Sequence, residues 1–354
     1  MSGVFHQKML GLMTLVDSVK VLCIFLATFL FSCSSSVNVD NSSYLNIKGN
    51  AQGTTFSIIY QDSLKRDFST KIDSILNEID NQLSNYDTSS FISKFNNSIK
   101  LTQRSSNNDL FVNCFNKSKS FYELTNGYFN AAVFPLVEYW GFFNNSDVEV
   151  DTNVIVDSIL PLINMDSIYI RKNKDGSLDI IKSKPSIKLD FNAIAQGYSV
   201  DLIGNFLQSR SIKNFMVEIG GEITARGVNS KGESWKIGIE TPVDSSSIGQ
   251  FGFQKIIQLK NKSIATSGNY RKFKKINGIR LSHTINPKTG FSAMNNLLSV
   301  SVITDSAANA DALATSFMAM GLKKSKEFIT NKGLDVKAYF IYDSAGKYQE
   351  WSNF

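Results

Sequence analysis

The sequence predicts an α+β fold: a mostly antiparallel sheet packed with helices. Three observations carry that expectation. Stretches of helical and of strand period occur along the 354 residues without strict alternation, which argues against βαβ units. From about residue 215 onward, short β-type runs are separated by Gly, Asn and Ser turn signals, the pattern of hairpins. The composition, 42% apolar with only 5 Pro, supplies a large core, and it shows no repeat and no low-complexity body.

The elements read in order from the N-terminus. Lys8 and Lys20 precede an apolar run, VLCIFLATFLF, at 21–31. It is shorter than the roughly 20 residues a spanning helix needs, so 1–32 reads as a signal peptide. The run closes on Leu30-Phe31-Ser32-Cys33, which resembles the lipobox of bacterial lipoproteins and makes Cys33 the expected lipidation site. The alternative is an ordinary secretory signal with an incidental Cys. Ser/Asn-rich residues 33–44 read as a tether, and 45–354 as one folded domain. The expected location is the bacterial cell envelope, lipid-anchored to a membrane, with a soluble body in the periplasm.

Within the body, TTFSIIY at 54–60 is strand-like. Phe68, Ile72, Ile75, Leu76, Ile79 and Leu83 form one helical stripe. A second helix covers about 108–124 and buries Cys114, which lacks a disulfide partner once Cys33 is acylated. A third starts near Ala193, with Tyr198, Leu202, Ile203, Phe206 and Leu207 on one side. The runs FMVEI, EITARG, WKIGIE, KIIQL and LLSVSVI follow as strands. Helices at about 306–319 and 323–331 and a strand at 337–342 end the chain.

Several chemistries are excluded. Lys+Arg 37 against Asp+Glu 31 gives +6, without a basic run that would mark a nucleic-acid footprint. No GxGxxG after a strand, GxxxxGK[ST], CxxC or HExxH is present. His6 and His283 are the only histidines, so a multi-histidine zinc site is ruled out in the mature chain. A hard cation on oxygen ligands fits better.

Seven segments stand out: AQGTTFSI (51–58), TNGYFNAAVFPLVEYWGF (125–142), LDFNAIAQGYSVD (189–201), VEIGGEITARG (217–227), IATSGNYRKF (264–273), SHTINPKTG (282–290) and ANADALATSFMAMG (308–321). Singly, each reads as a turn or a helix start; Gly220-Gly221 is a plausible hairpin turn and Asp311 suits a first helical turn. In this joint order they resemble the ApbE family of FAD:protein FMN transferases, over about 45–340.

That resemblance implies a T-fold-like, ApbE-type architecture, with FAD as substrate and Mg²⁺ as cofactor. It assigns the metal to the Ala193 carbonyl, the Asp311 carboxylate and the Thr315 hydroxyl. Asp311 and Thr315 are i and i+4, which places both oxygens on one helix face. For FAD it points to Gln52, Tyr86, Tyr128, Phe129, Asn130, Asp190, Gln196 and Ile285, with Ser267, Gly268 and Arg271 on the phosphate side. The chain departs from the family's usual residues at Gln52 (commonly Met), Asn130 (commonly Asp), Gln196 (commonly Lys or acidic) and Asn286 of the HxxDP segment.

The implied reaction moves FMN from FAD onto a Thr or Ser hydroxyl of an acceptor flavoprotein, a redox-pump type subunit, and releases AMP. His283 is the candidate base, with Asp311 a weaker relay. Two alternatives stay open: an FAD pyrophosphatase giving FMN and AMP, and a lipoprotein that binds FAD without turnover.

Overall fold

In the computed structural model, residues 43–105, 109–144, 150–240, 253–269, 273–276 and 279–354 are described. The signal, Cys33 and Arg271 lie outside them.

The frame is an eight-stranded, wholly antiparallel sheet in the order β1-β2-β6-β7-β10-β13-β14-β15. Its strands are β1 (Tyr44–Ala51), β2 (Thr54–Gln61), β6 (Phe215–Ile219), β7 (Glu222–Arg226), β10 (Lys262–Gly268), β13 (Leu297–Thr304), β14 (Lys337–Ser344) and β15 (Lys347–Ser352). The expected α+β class with a largely antiparallel sheet is thus what the chain adopts.

Side-chain alternation sorts the two faces of this sheet. Val300 and Val302 of β13 and Ala338 and Phe340 of β14 join the helix-covered core. Their neighbours Ile303, Tyr339 and Ile341 pack instead with Trp235, Ile237 and Leu259 of a separate hairpin, β8 (Trp235–Glu240) with β9 (Phe253–Leu259). β13 is therefore covered on both faces. It is accordingly buried along almost its whole length, Ser299 and Ser301 included.

Helices fill the first face. α1 (Ser69–Leu83) lays Ile72 and Leu76 against Phe56, Ile58 and Tyr60 of β2 and against Val200, Ile203 and Leu207 of α5 (Ala195–Ser209). The stripe expected from the sequence is the buried one. Cys114 sits fully buried in α3 (Asp109–Leu124), as expected.

α6 (Ala307–Met320) is the central helix. All of its residues but Asn309 and Thr315 are buried, in keeping with a segment that is mostly Ala, Met, Leu and Phe. α7 (Leu322–Lys332) follows directly and ends on Gly333, whose φ of +56° is left-handed.

Several elements carry too weak a pattern to be expected from sequence. They are β1, β15, the short helix α2 (Phe91–Asn97), α4 (Phe134–Tyr139), and a three-stranded sheet of β3 (Thr102–Ser105), β5 (Leu178–Lys182) and β4 (Ile168–Lys172). β15 (KYQEWS) is a mostly exposed edge strand, with little apolar alternation to read. Between β10 and β13 the chain forms one more small hairpin, β11 (Phe273–Ile276) with β12 (Ile279–Ser282). No described helix is long and apolar enough to cross a membrane.

Candidate active site

Two hairpin tips and two helices build one corner of the molecule. The β1–β2 hairpin turns at Gln52-Gly53, with φ of +53° and +72°. The β6–β7 hairpin turns at Gly220-Gly221, with φ of +63° and +108°. The latter is thus the hairpin turn its sequence suggested. Positive φ at both central residues matches the right-handed strand twist, and Gly tolerates it best.

Both tips meet the start of α5. Gln52 Nε2 donates to Ser199 Oγ at 2.6 Å, while its Oε1 is buried without a partner. A Cβ on Gly220 would lie 2.9 Å from Gln196 Nε2. The backbone at Gly220 therefore sits directly against Gln196.

The start of α5 is itself unusual. The amides of Ile194 and Ala195 both donate to the Phe191 carbonyl, at 2.9 and 2.8 Å, making a tight turn that starts the helix at Ala195, two residues later than expected. The Gly197 amide, which in a continuous helix would reach the Ala193 carbonyl four residues back, donates instead to Oδ2 of Asp311 at 3.2 Å. The Ala193 carbonyl thereby lacks its usual ladder donor, which makes it a potential oxygen ligand. The contact needs Gly197, because a Cβ there would lie 2.4 Å from the Ala307 carbonyl oxygen.

Asp311 is 6% exposed and is the one ionisable side chain of α6. Burial pushes its carboxyl up to about 7; the Gly197 amide pulls it down and the Asp201 charge pushes it up. One turn further on, Thr315 Oγ1 pairs with Ser267 Oγ of β10 at 3.1 Å. Ser267 and Gly268 thus end β10 beside the same face of α6.

These residues fit a hard cation. A buried carboxylate with one amide donor is short of positive charge, and a hydroxyl and a freed carbonyl complete an all-oxygen set suited to Mg²⁺. Among the described residues no cluster of three or more His, Cys, Asp or Glu is placed to hold a metal.

A second group surrounds Asp190. Its amide donates to the Ala131 carbonyl at 2.7 Å, and its Oδ1 accepts from the Asn192 amide at 2.8 Å. Burial pushes the carboxyl up to about 6, against hydrogen bonds from Asn192 and Asn85. Asn85 and Asn96 hold the preceding residue: both Nδ2 groups donate to the Leu189 carbonyl, at 3.2 and 2.8 Å, and Asn96 Oδ1 accepts the Leu189 amide at 2.7 Å. Tyr86 is 67% exposed and stacks on Phe143 with centroids 5.2 Å apart. Partial burial raises the pKa of its hydroxyl, the Asp190 charge adds to the rise and a hydrogen bond with Asn192 opposes it.

The GYFN segment divides its work. The Tyr128 hydroxyl accepts from Lys324 of α7 at 2.9 Å, and the Lys288 ammonium lies 5.6 Å from its ring. Phe129 is 2% exposed, against Phe121, so its ring is enclosed in the core and is not presented for stacking on a flavin. Asn130 caps the next turn through the Ala132 amide and donates to the Ile163 carbonyl at 3.1 Å. The Ile285 side chain packs into a separate cluster with Leu136 and Trp140, leaving only its backbone for a ligand. His283 is exposed just beyond β12. Asn286–Gly290 is a closed turn, with the Gly290 amide on the Asn286 carbonyl at 2.9 Å.

The sequence alone marks no role for Gly197, Asp201 or the Asn85–Asn96 pair. Gly197 and Asp201 stand inside the LDFNAIAQGYSVD segment at i and i+4, which is the one local signal that could have marked them.

The profile of the ApbE family matches residues 52–340. A Vibrio cholerae serotype O1 protein named FAD:protein FMN transferase is 34% identical over 287 residues, covering 78% of this chain and 81% of the relative. A Haemophilus influenzae protein of the same name is 28% identical over 322 residues, 89% and 90% of the two chains. Among solved structures, the flavin transferase ApbE from Vibrio cholerae superposes with a TM-score of 0.75 at 31% identity, covering 87% of this chain and 96% of that one. The apo flavinyl transferase ApbE of Pseudomonas stutzeri gives 0.75 at 27% identity, covering 87% and 94%. A profile match over most of the chain, in the fold those structures share, means that this chain belongs to the ApbE family.

Proposed function

We propose that this protein transfers FMN from FAD to a Thr or Ser hydroxyl of an acceptor flavoprotein, with release of AMP and with Mg²⁺ as cofactor. The observation that carries the reading is the Asp311 carboxylate, buried on α6 and bonded to Gly197 where α5 leaves its opening turn. Membership of a family whose relatives bear the transferase name supports it.

Asp311, Thr315 and the Ala193 carbonyl would hold Mg²⁺, which supplies charge neutralisation for a diphosphate. The remaining chemistry belongs to the chain and its substrates. The acceptor hydroxyl oxygen attacks the FMN-side phosphorus, the bond from that phosphorus to the bridging anhydride oxygen breaks, and AMP leaves with that oxygen. The hydroxyl proton passes to a base, for which exposed His283 is the candidate. The two hairpin tips and Ser267-Gly268 bring small residues and backbone close to where a diphosphate would lie.

The test incubates the purified protein with FAD, Mg²⁺ and a flavin-acceptor domain. A fluorescent acceptor band should persist in a denaturing gel, and both EDTA and Asp311→Ala should abolish it. Consumption of FAD with a dark acceptor would replace transfer by pyrophosphatase action. In the same assay His283→Ala should lower the rate at saturating FAD by about 10²-fold or more. A near-normal rate removes His283 as the base.

A further inference from the structure

We propose that Asp201 is a positioning residue that sets Asp311 on its metal, by tying the N-terminus of α6 to α5. The proposal rests on the metal reading given above and names a residue outside the ligand set.

The amides at the start of α6 account for themselves completely. Ala307 donates to Asp201 Oδ1 at 2.8 Å and Ala308 to Oδ2 at 3.0 Å. Asn309 donates to Ser306 Oγ at 3.3 Å, and Ala310 begins the helical ladder on the Ser306 carbonyl at 3.1 Å. Ser306 Oγ in turn donates to Asp201 Oδ2 at 2.6 Å. An ordinary N-cap takes its acceptor from the helix's own chain. Here a carboxylate on another helix takes the first two amides and the cap hydroxyl, and its charge faces the positive end of α6.

The placement of this tie gives it a purpose. Asp201 stands one turn after Gly197 on α5, and Asp311 stands one turn after Ala307 on α6. The same pair of helices is therefore joined twice at one-turn spacing, first by Asp201 to Ala307 and Ala308, then by Gly197 to Asp311. The second tie is the metal carboxylate. With no Cβ at Gly197, the helices touch backbone to backbone, so a small slide of α6 would move Asp311 directly against the Ala193 turn. Asp201 fixes that slide and the rotation of α6. Arg226 of β7 steadies the approach by donating to the Asp305 carbonyl at 2.9 Å.

The test uses the full chain with FAD and no acceptor, and titrates Mn²⁺ as the cation, read by electron paramagnetic resonance. Asp201→Ala should weaken Mn²⁺ binding by about tenfold or more, the size seen when a group orienting a ligand is lost. Asp201→Asn, which keeps one acceptor oxygen, should fall between it and the parent. In transfer assays the Mg²⁺ concentration at half-maximal rate should rise by a similar factor, while kcat at saturating Mg²⁺ recovers to within about twofold of the parent. Lowered thermal stability with parental Mn²⁺ affinity would reduce Asp201 to a helix cap and overturn the proposal. Should Asp201→Ala fail to fold, Asp201→Asn carries the comparison, and parental affinity in it is equally fatal. A parent chain that binds no Mn²⁺ overturns the metal reading itself, and is recognised before any variant is compared.

Discussion

Gly197 shows how much one residue can decide. Its missing side chain lets α5 touch α6, and its amide is the hydrogen-bond donor to Asp311. A Cβ at this position would meet the Ala307 carbonyl carbon at 2.6 Å and Ala308 Cα at 2.8 Å, all backbone that cannot swing aside. Gly197→Ala should therefore cost about 1–3 kcal/mol of stability by overpacking, measured by urea unfolding, and should also weaken metal binding. Gly220 makes a useful contrast, since its close neighbours are the ends of the Gln196 and Thr54 side chains. Gly220→Ala should cost less in displaced neighbours, the strain of φ +63° being its main penalty. If both substitutions prove equally mild, the tight contact between α5 and α6 is not as described. At this scale the sequence was legible in residue type: Asp311 and Thr315 at i and i+4 announce two oxygens on one face. Nothing local in the chain announces that the oxygen partner of Gly197 is Asp311.

Among the elements, β5 and the segment after it show how a site loop is held. Lys182 at the end of β5 is 1% exposed, and its ammonium donates to the carbonyls of Phe95, Pro185 and Ile187 at 2.8, 2.9 and 3.3 Å. The chain between β5 and Asp190 is thus pinned to the end of α2, beside the Asn85–Asn96 pair that grips Leu189. Burial lowers the ionisation of Lys182 from 10.5 to about 8, with the Lys188 charge adding to the effect. Between those two pH values the folded chain holds fewer protons than the unfolded one, so this group makes stability rise with pH. Urea midpoints for the parent, compared with Lys182→Met, should diverge in the parent's favour from about pH 8 to about pH 10. At pH 7 the variant should be less stable by about 2–3 kcal/mol, because three buried carbonyls lose their donor. A constant difference across that range would show that Lys182 ionises normally. Long amphipathic elements such as α1 were readable from periodicity, whereas β3, β4 and α2 were not. They are short, and their buried positions are too few to stand out from a polar background.

At the level of the whole molecule, the sheet puts the tips of the β1–β2 and β6–β7 hairpins and the end of β10 around α5 and α6, and so assembles the site from most of the chain's length. The proposed lipid on Cys33 would hold that body at a membrane surface, where an acceptor of the proposed redox-pump type would be in reach. Metabolic labelling with radioactive palmitate should mark the parent in a bacterial host and leave Cys33→Ala unlabelled; an unlabelled parent would sink the anchor. The sequence by itself determined the fold class, the buried faces of the long helices, the hairpin tip at Gly220-Gly221 and the family, because period, turn chemistry and segment order are properties of neighbours along the chain. Only the tertiary structure decided which groups meet: Gly197 with Asp311 across 114 positions, Asp201 with Ser306 across 105, and Ser267 with Thr315 across 48. It also decided that the Phe129 ring belongs to the core. A side chain's burial and its hydrogen-bond donors are set by segments far away in the chain, and local spacing carries no record of them.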